Sequence, residues 1–251
     1  MSDLVNGSDQ SIKIVDVPIV ILAGGQGTRL RSVVGELPKL LAPIGNKPFL
    51  EILLSWLEHQ GAREVVFSLG YQSEKIIKAL QQRNNLNKLV ISYVVEPEPL
   101  GTLGGLSYCL NNKKIEECLV INGDTFVDVQ LLDFLNQQRA NKAFSALVTK
   151  HVSDTSRYGR IEFKNKTNVL SFVEKDLSIK ISGWINAGVY YFSAPASEQI
   201  SVSKEGSIET GFLARIVDRL TYFKCEYGRF IDIGTPQSYA QAKEVLKEYL
   251  E

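Results

Sequence analysis

Apolar residues occur in short continuous runs along the first half of the chain, and polar or glycine-rich segments separate these runs. Ile19–Ala23, Glu64–Leu69 and Cys118–Asn122 are rich in β-branched residues. Runs of this length and composition are typical of strands that are buried on both faces of a parallel sheet. A further strand is predicted at Lys88–Val95, where apolar residues again predominate.

Helical patterns separate the predicted strands. Pro48 begins one helix, since proline is tolerated at a first helical position, and Gly61 ends it. Further helices are predicted at Glu74–Gln82 and around Leu131–Arg139, the latter beginning near Asp128. The alternation of strand and helix indicates an α/β fold, a Rossmann-like three-layer sandwich with a mixed, mostly parallel central sheet.

The second half of the chain contains longer strand patterns and two further helices. The predicted elements are a strand at Ala143–Lys150, a hairpin-like insertion formed by Arg157–Ile161 and Val169–Lys175, a strand at Trp184–Phe192, a helix at Ser207–Leu220 with Ser207 as its cap, and a last helix from Thr235 and Pro236. We expect residues 1–17 to be an extension and residues 18–251 to be one domain, with halves at about 18–142 and 143–251.

Composition excludes several classes of protein. Lys plus Arg and Asp plus Glu number 28 each, so no overall field attracts nucleic acid or an anionic membrane. No apolar run approaches the length of a membrane span, and residues 1–11 lack the apolar core of an export signal. Cys109, Cys118 and Cys225 lack a C-x-x-C spacing. We expect three reduced thiols in a cytoplasmic protein, with neither a histidine-based metal site nor a Ser-His-Asp triad.

A glycine-rich turn follows the first predicted strand. Gly24, Gly25 and Gly27 permit positive φ angles there, and successive backbone amides in such a turn bind anions. Arg29 and Lys39 follow, which indicates a phosphate-rich ligand. The dinucleotide fingerprint fails because Leu30 stands where it needs glycine, and no P-loop is present. The alternative is a turn that only links strand to helix.

The run Gly24-Gly-Gln-Gly-Thr-Arg-Leu30, followed by Pro38-Lys39 and Lys47-Pro48, resembles the signature of sugar-1-phosphate nucleotidylyltransferases. The resemblance implies the nucleotide-diphospho-sugar transferase fold and a reaction of NTP with a sugar 1-phosphate that gives NDP-sugar and pyrophosphate. It implies catalytic roles for Arg29 and Lys39. It also implies nucleotide contacts from the segment after the first strand, at Leu22, Ala23, Gly24, Gly25, Gly27, Thr28 and Arg29.

Prolines and glycines predict an extended loop over Glu96–Leu106. In the resembled family this stretch lies over the nucleotide base, which implies nucleotide contacts from Gly101 and Thr102. Leu103 stands where many relatives have a smaller residue. An alternative, compatible with that role, is a helix N-terminus with Thr102 as its cap.

Two aspartates follow apolar, β-rich runs. An acidic residue just past the carboxyl end of a parallel strand lies where such sheets bind ligands, and Asp124 has this position. The resemblance implies that Asp124 and Asp232 bind Mg²⁺, with Asp124 also catalytic. If both runs are strands of one sheet, both carboxylates lie near its ligand-binding edge. The alternative for Asp124 is a turn cap.

The sugar half of the family is represented by a Tyr158-Gly159 turn, a Glu174-Lys175 pair and an Asn186-Ala-Gly-Val-Tyr190 strand. The resemblance implies that Lys175 binds the sugar phosphate. It implies contacts to the sugar from Gly159, Glu174 and Asn186. By itself, a Glu-Lys pair is most often a pair of surface charges.

The runs Leu30–Val34, Asn122–Phe126 and Arg157–Gly159 resemble most the branch that makes GDP-heptose from GTP and D-glycero-α-D-manno-heptose 1-phosphate. Mannose 1-phosphate is an alternative sugar substrate, and UTP, CTP or dTTP is an alternative nucleotide. A glycosyltransferase that uses an NDP-sugar is disfavoured because Asp124-Thr-Phe replaces the usual Asp-x-Asp. A sugar-nucleotide sensor is disfavoured because Arg29, Lys39, Asp124 and Asp232 are all present. The sequence is also compatible with a homo-oligomer.

Overall fold

The structure is a computed structural model that describes residues 15–83, 89–173, 175–178 and 180–250. The strands are β1 Ile19–Ala23, β2 Pro43–Ile44, β3 Lys47–Pro48, β4 Glu64–Leu69, β5 Val90–Val95, β6 Cys118–Asn122, β7 Thr125–Val127, β8 Ser145–Val152, β9 Arg160–Phe163, β10 Val169–Val173, β11 Gly183–Phe192, β12 Leu220–Cys225 and β13 Phe230–Asp232. The helices are α1 Arg31–Val34, α2 Phe49–His59, α3 Ser73–Gln81, α4 Gly101–Lys113, α5 Leu131–Ala140, α6 Ala194–Ser201, α7 Ile208–Gly211 and α8 Pro236–Val245.

A mixed, mostly parallel sheet forms the centre of the molecule. Its path is β10-β9-β11-β6-β1-β4-β5, and β8 pairs with both β11 and β12. β1 lies parallel to β4 and β6, and β4 lies parallel to β5, whereas β11 is antiparallel to β6 and β8. Within the described part of the chain, β10 and β11 run against the other strands of this sheet. The predicted fold class is confirmed.

Helices cover both faces of the sheet because successive side chains of a buried strand point to opposite faces. Ile19 and Ile21 of β1 pack in one apolar cluster with residues of α2, α3, α5 and α8. Val20 packs in a second cluster with α4, α6 and α7. The two clusters are the two interfaces of a three-layer sandwich. Cys109, Cys118 and Cys225 are free and buried, as expected for small apolar residues.

The carboxyl ends of the parallel strands meet at one edge of the sheet. Ala23 of β1 is aligned with Leu69 of β4, and Leu22 is aligned with Asn122 of β6. Backbone hydrogen bonds extend this alignment beyond the strands, from Gly123 N to Leu22 O at 2.9 Å and from Glu96 N to Leu69 O at 2.8 Å. The loops that follow β1, β5 and β6 therefore lie side by side at this edge.

A two-stranded antiparallel ribbon, β7 with β13, adjoins this edge. Asp232 lies opposite Thr125, and Ile233 N donates to Asp124 O at 2.9 Å. The expectation that the runs before Asp124 and Asp232 are strands of one sheet is wrong, because β13 pairs with β7 rather than with the central sheet. The ribbon still brings the two aspartates together.

Three other element predictions need correction. Gly211 and the turns after it divide Ser207–Leu220 into α7 and two 3-10 turns, although Ser207 does cap α7 by accepting from Glu209 N and Thr210 N. The helix α4 begins at Gly101, within the stretch predicted as a loop, and its N-cap is Leu100 rather than Thr102. The residue that precedes α5 as its N-cap is Gln130 rather than Asp128.

Among the residues that the structure describes, no helix has the length and apolar character needed to cross a membrane.

Candidate active site

Two adjoining cavities open at the carboxyl edge of the sheet, and both are lined by Asn122 and Asp124. The first, the β1 cavity, has a volume of about 330 Å³ and lies between the turn after β1 and the start of α4. The second, the β11 cavity, has a volume of about 240 Å³ and lies between the β7–β13 ribbon, β11 and the Tyr158-Gly159 turn. A ligand that fills both cavities must pass Asp124.

The β1 cavity brings together most of the residues that the resemblance assigns to the nucleotide. Those that line it are Leu22, Ala23, Gly24, Gly25, Lys39, Gly101, Thr102 and Asp124. Gly27, Thr28 and Arg29 are not in its lining, and Arg29 is exposed at the surface. A role for Arg29 in binding the leaving phosphates stays a prediction.

Gly27 shapes the turn around Lys39. Its φ of 62° lies in the left-handed region, which favours glycine. A Cβ at this position would lie 3.3 Å from Lys39 Cγ. The turn therefore packs against the aliphatic stem of Lys39 and helps to fix the direction of its ammonium group.

The start of α4 forms the wall opposite the turn. Gly101 has a φ of 72°, and a Cβ there would lie 2.5 Å from Gly206 O. The Thr102 hydroxyl accepts from Ile208 N at 2.9 Å, and Leu103 N donates to Gly206 O at 2.8 Å. These contacts fasten the start of α4 to the segment before α7, so the cavity wall is continuous with the β11 cavity.

Lys39 and Asp124 form an ion pair at the junction of the two cavities. The Lys39 Nζ lies 2.6 Å from Asp124 Oδ2, and a Cβ on Gly234 would lie 3.5 Å from the same Nζ. Across the ribbon, Asp232 Oδ1 accepts from Gly234 N at 2.6 Å, and its Oδ2 lies 3.4 Å from an Arg157 guanidinium nitrogen. The carboxylates of Asp124 and Asp232 and the cationic groups of Lys39 and Arg157 are thus close together at the junction of the two cavities.

The charge on Asp232 is costly in this setting. Burial raises the pKa of Asp232, the neighbouring Asp124 carboxylate raises it further, and Gly234 N, Arg157 and Lys39 partly offset both effects. A divalent cation between the two carboxylates would relieve the same repulsion.

The ligand atoms that Asp124 and Asp232 offer are suited to a hard divalent cation. Asp124 and Asp232 offer only oxygen ligands, which Mg²⁺ prefers, and Mg²⁺ is commonly bound by one or two carboxylates together with phosphate and water. Within the described ranges, no group of three or more His, Cys, Asp or Glu side chains could hold a metal ion. Two carboxylates supply only part of the coordination shell of Mg²⁺, so the remaining ligands would be phosphate oxygens and water.

The β11 cavity contains three of the four residues that the resemblance assigns to the sugar phosphate, Gly159, Lys175 and Asn186, together with Asp232. Glu174 lies outside the described residues. Gly159 packs closely against Phe172, since a Cβ at this position would lie 2.7 Å from the ring. Its carbonyl accepts from Asn186 N at 3.0 Å, which joins the turn to β11.

A hydrogen-bonded row fixes the floor of the β11 cavity. Asn186 Nδ2 donates to the buried Tyr190 hydroxyl at 2.8 Å, and that hydroxyl donates to Glu209 Oε1 at 3.1 Å. Ser207 Oγ donates to Glu209 Oε2 at 2.6 Å. Burial raises the pKa of Tyr190 well above its ordinary value, and the Glu209 charge raises it further, so the phenol stays neutral and can donate.

Several cavity residues were not identified from the sequence, namely Glu96, Asn122, Arg157, Ser207 and Glu209. Glu96 and Asn122 could have been found, because each stands at the carboxyl end of a parallel strand, where such sheets bind ligands. Glu209 gives no such signal, since its place depends on the contact between α7 and β11.

Comparison with known proteins gives a consistent set of relatives. The family model described as nucleotidyl transferase matches residues 19–248. The D-glycero-alpha-D-manno-heptose 1-phosphate guanylyltransferase of Aneurinibacillus thermoaerophilus is 37% identical over 232 residues, which cover 92% of this chain and 99% of the relative. The protein of the same name from Campylobacter jejuni subsp. jejuni is 36% identical over 221 residues, which cover 88% of this chain and 96% of the relative. A mannose-1-phosphate guanylyltransferase of Mycobacterium tuberculosis is 31% identical, and the match covers 90% of this chain and 63% of the relative.

A solved structure agrees with these relatives. The crystal structure of HddC from Yersinia pseudotuberculosis superposes with a TM-score of 0.80 at 34% identity, over 91% of this chain and 98% of that one. The structure of HddC complexed with GMP-PN superposes with a TM-score of 0.79.

Proposed function

The chain belongs to the nucleotidyl transferase family and is a sugar-1-phosphate nucleotidylyltransferase, and we propose that it transfers GMP from GTP to D-glycero-α-D-manno-heptose 1-phosphate. The observation that carries this proposal is the pair of cavities that meet at Asp124, beside Lys39. The choice of guanine and heptose is supported by relatives of that activity, which match nearly the full chain.

The reaction is an in-line displacement. An oxygen of the sugar phosphate attacks the α-phosphorus of GTP and forms a new P–O bond. The bond from the α-phosphorus to the oxygen that bridges to the β-phosphorus breaks, and its electron pair leaves with pyrophosphate. The attacking phosphate is already ionised at neutral pH, so no strong general base is needed, and catalysis depends on positioning and charge neutralisation.

Each cavity binds one of the two substrates in the proposed reaction. The β1 cavity takes the nucleotide, with backbone amides of the Gly24-Gly25 turn facing phosphate oxygens. The β11 cavity takes the sugar 1-phosphate, with Lys175 as the cation for its phosphate and Asn186 and Glu209 for its hydroxyls. Lys39, at the junction, lies where the α-phosphate and the attacking phosphate meet, and there it neutralises the charge that develops.

Asp124 and Asp232 are the residues that would bind Mg²⁺. When bound, the metal supplies charge neutralisation and orientation to the phosphate oxygens. An Arg157 guanidinium nitrogen lies 3.4 Å from Asp232 Oδ2 and would help to orient that carboxylate.

A panel of nucleotides and sugar 1-phosphates tests the proposal. With Mg²⁺ present, the purified protein should release pyrophosphate fastest with GTP and a heptose 1-phosphate. Mannose 1-phosphate is the second candidate, because mannose-1-phosphate guanylyltransferases are also related to this chain. A clear preference for UTP, CTP or dTTP would overturn the choice of base and leave the reaction class intact.

Replacement of Lys175 by alanine should act mainly on the sugar substrate. Loss of a charge-assisted hydrogen bond to phosphate is expected to raise KM for the sugar 1-phosphate by about tenfold or more. Steady-state kinetics with each substrate varied in turn measures this effect. Lys180→Ala is the matched control, since Lys180 is exposed in the same segment and is not in the cavity lining. If Lys175→Ala changed only the NTP constant, the division between the cavities would be wrong.

A further inference from the structure

A cluster of polar side chains outside the two cavities joins a long loop to the N-terminal end of α3. This loop, residues 25–38, leads from the turn after β1 to Lys39, and we call it the signature loop. Glu36 Oε2 in the loop accepts from the Tyr71 hydroxyl at 3.0 Å and from Gln72 Nε2 at 3.3 Å. Neither Tyr71 nor Gln72 lines a cavity, so the roles assigned above do not use them.

Tyr71 is the centre of this cluster. The guanidinium carbon of Arg31, in α1, lies 5.0 Å from the centroid of its ring. Its backbone N donates to Gly24 O at 3.3 Å, and Lys75 Nζ donates to Glu36 O at 2.7 Å beside it. Tyr71 therefore contacts the turn that precedes the signature loop, the short helix within the loop and the far end of the loop.

The backbone on each side of the contact has an uncommon conformation. Gly35 has a φ of 65°, in the left-handed region that favours glycine, and this bend follows the end of α1. Gln72 has a φ of 55°, which is uncommon for a residue with a side chain and persists where the surroundings hold it. The cluster is therefore a built contact rather than a chance meeting of surface side chains.

The two ends of the signature loop belong to the β1 cavity. Gly25 and Gln26 line the cavity at the start of the loop, and Pro38 and Lys39 line it at the end. Glu36 stands only three residues before Lys39. Its attachment to α3 thus limits where the backbone of Lys39 can lie.

We propose that Tyr71 is a positioning residue for nucleotidyl transfer, which acts by holding the signature loop against α3 through Glu36. The inference rests on the division of the two substrates between the cavities in the proposed function. A loop of this length loses conformational entropy when it is fixed. Because the cluster fixes the loop before substrate arrives, NTP binding does not have to supply that free energy.

Steady-state kinetics of Tyr71→Phe tests this role, since the variant loses the hydroxyl and keeps the ring that Arg31 contacts. Loss of this hydrogen bond should raise KM for NTP by about three- to tenfold and leave KM for the sugar 1-phosphate unchanged. Glu36→Ala should have the same effect. The double variant should be no worse than Glu36→Ala, because both substitutions remove one shared contact.

Matched controls separate positioning from a general effect on the fold. Tyr93→Phe changes an exposed tyrosine of β5, and Glu74→Ala changes an exposed glutamate of α3, both outside the cavity linings. Both controls should match wild type. A purely structural role of Tyr71 would lower the melting temperature and leave both KM values as they are in wild type.

Hydrogen exchange measures the loop itself without turnover. Within the signature loop, Leu30 N donates to Gly27 O at 3.0 Å and Gly35 N donates to Arg31 O at 2.9 Å. In Tyr71→Phe without substrate, these amides should exchange faster than in wild type, and NTP with Mg²⁺ should slow them. Wild-type exchange across residues 25–38 in this variant would contradict the inference.

The kinetic outcomes separate this inference from the proposed function. If wild type catalyses the transfer and Tyr71→Phe keeps both KM values, the inference is wrong and the function stands. If Tyr71→Phe instead raises only KM for the sugar 1-phosphate, the loop acts on the β11 cavity and the inference is again wrong. If wild type releases no pyrophosphate from any NTP with any sugar 1-phosphate, both fail.

Discussion

Replacement of Lys39 by alanine is expected to lower kcat by about a hundredfold or more, the scale for loss of one preorganised charge contact. The KM for NTP should change much less. Lys39 Nζ lies at the junction of the two cavities, 2.6 Å from Asp124 Oδ2. In the proposed reaction Lys39 would contact both the α-phosphate and the attacking phosphate, where negative charge is most crowded in the transition state.

Steady-state kinetics with both substrates varied, together with thermal melting, measures this prediction. Lys78→Ala is the matched control, because Lys78 lies on α3 beside the β1 cavity and is exposed. Lys39→Arg separates charge from geometry, since arginine keeps the charge and places it differently. Unchanged turnover in Lys39→Ala would remove Lys39 from the catalytic residues.

Asp124→Asn is expected to lower the rate by about a hundredfold or more at ordinary Mg²⁺ concentrations. The neutral amide is nearly isosteric, so the fold should persist, while the ion pair with Lys39 and the proposed metal ligand are both lost. Asp232→Asn should raise the Mg²⁺ concentration needed for half-maximal rate. Asp124 and Asp232 meet through the β7–β13 ribbon, so both variants should shift the metal requirement in the same direction.

Titration of initial rate with Mg²⁺ in wild type and in each variant measures both effects. Asp133→Asn, on the exposed side of α5, is the control and should match wild type. A variant of Asp124 or Asp232 with a wild-type rate and a wild-type metal requirement would show that this residue is not a ligand. For Asp124, the remaining role would be capping of a turn.

The strands around the β1 cavity were predictable because each is a local apolar run. Ile19–Ala23, Glu64–Leu69 and Cys118–Asn122 have the predicted bounds. Parallel strands bring their carboxyl ends to one edge, so the positions of Gly24 and Asp124 followed from the pattern alone. Lys39 was identified through the family motif, because its position in the sequence does not predict that it contacts Asp124.

Contacts between distant segments were not predictable. The amphipathic pattern of Ser207–Leu220 suits a helix, yet α7 ends at Gly211, Phe212 has a non-helical φ of −126°, and two 3-10 turns follow. The β7–β13 ribbon joins residues over a hundred positions apart in the sequence. Glu209 lines the β11 cavity because α7 lies beside β11, where the Tyr190 hydroxyl donates to Glu209 Oε1 at 3.1 Å.

The most direct test of the central claim is a stoichiometric assay of pyrophosphate and nucleotide-sugar. The protein is incubated with GTP and Mg²⁺, with and without a heptose 1-phosphate, and both products are quantified. We expect pyrophosphate and GDP-sugar in equal amounts, only when both substrates are present, and almost none with Lys39→Ala. Pyrophosphate release that does not depend on sugar 1-phosphate, or absence of GDP-sugar, would contradict transfer between the two cavities.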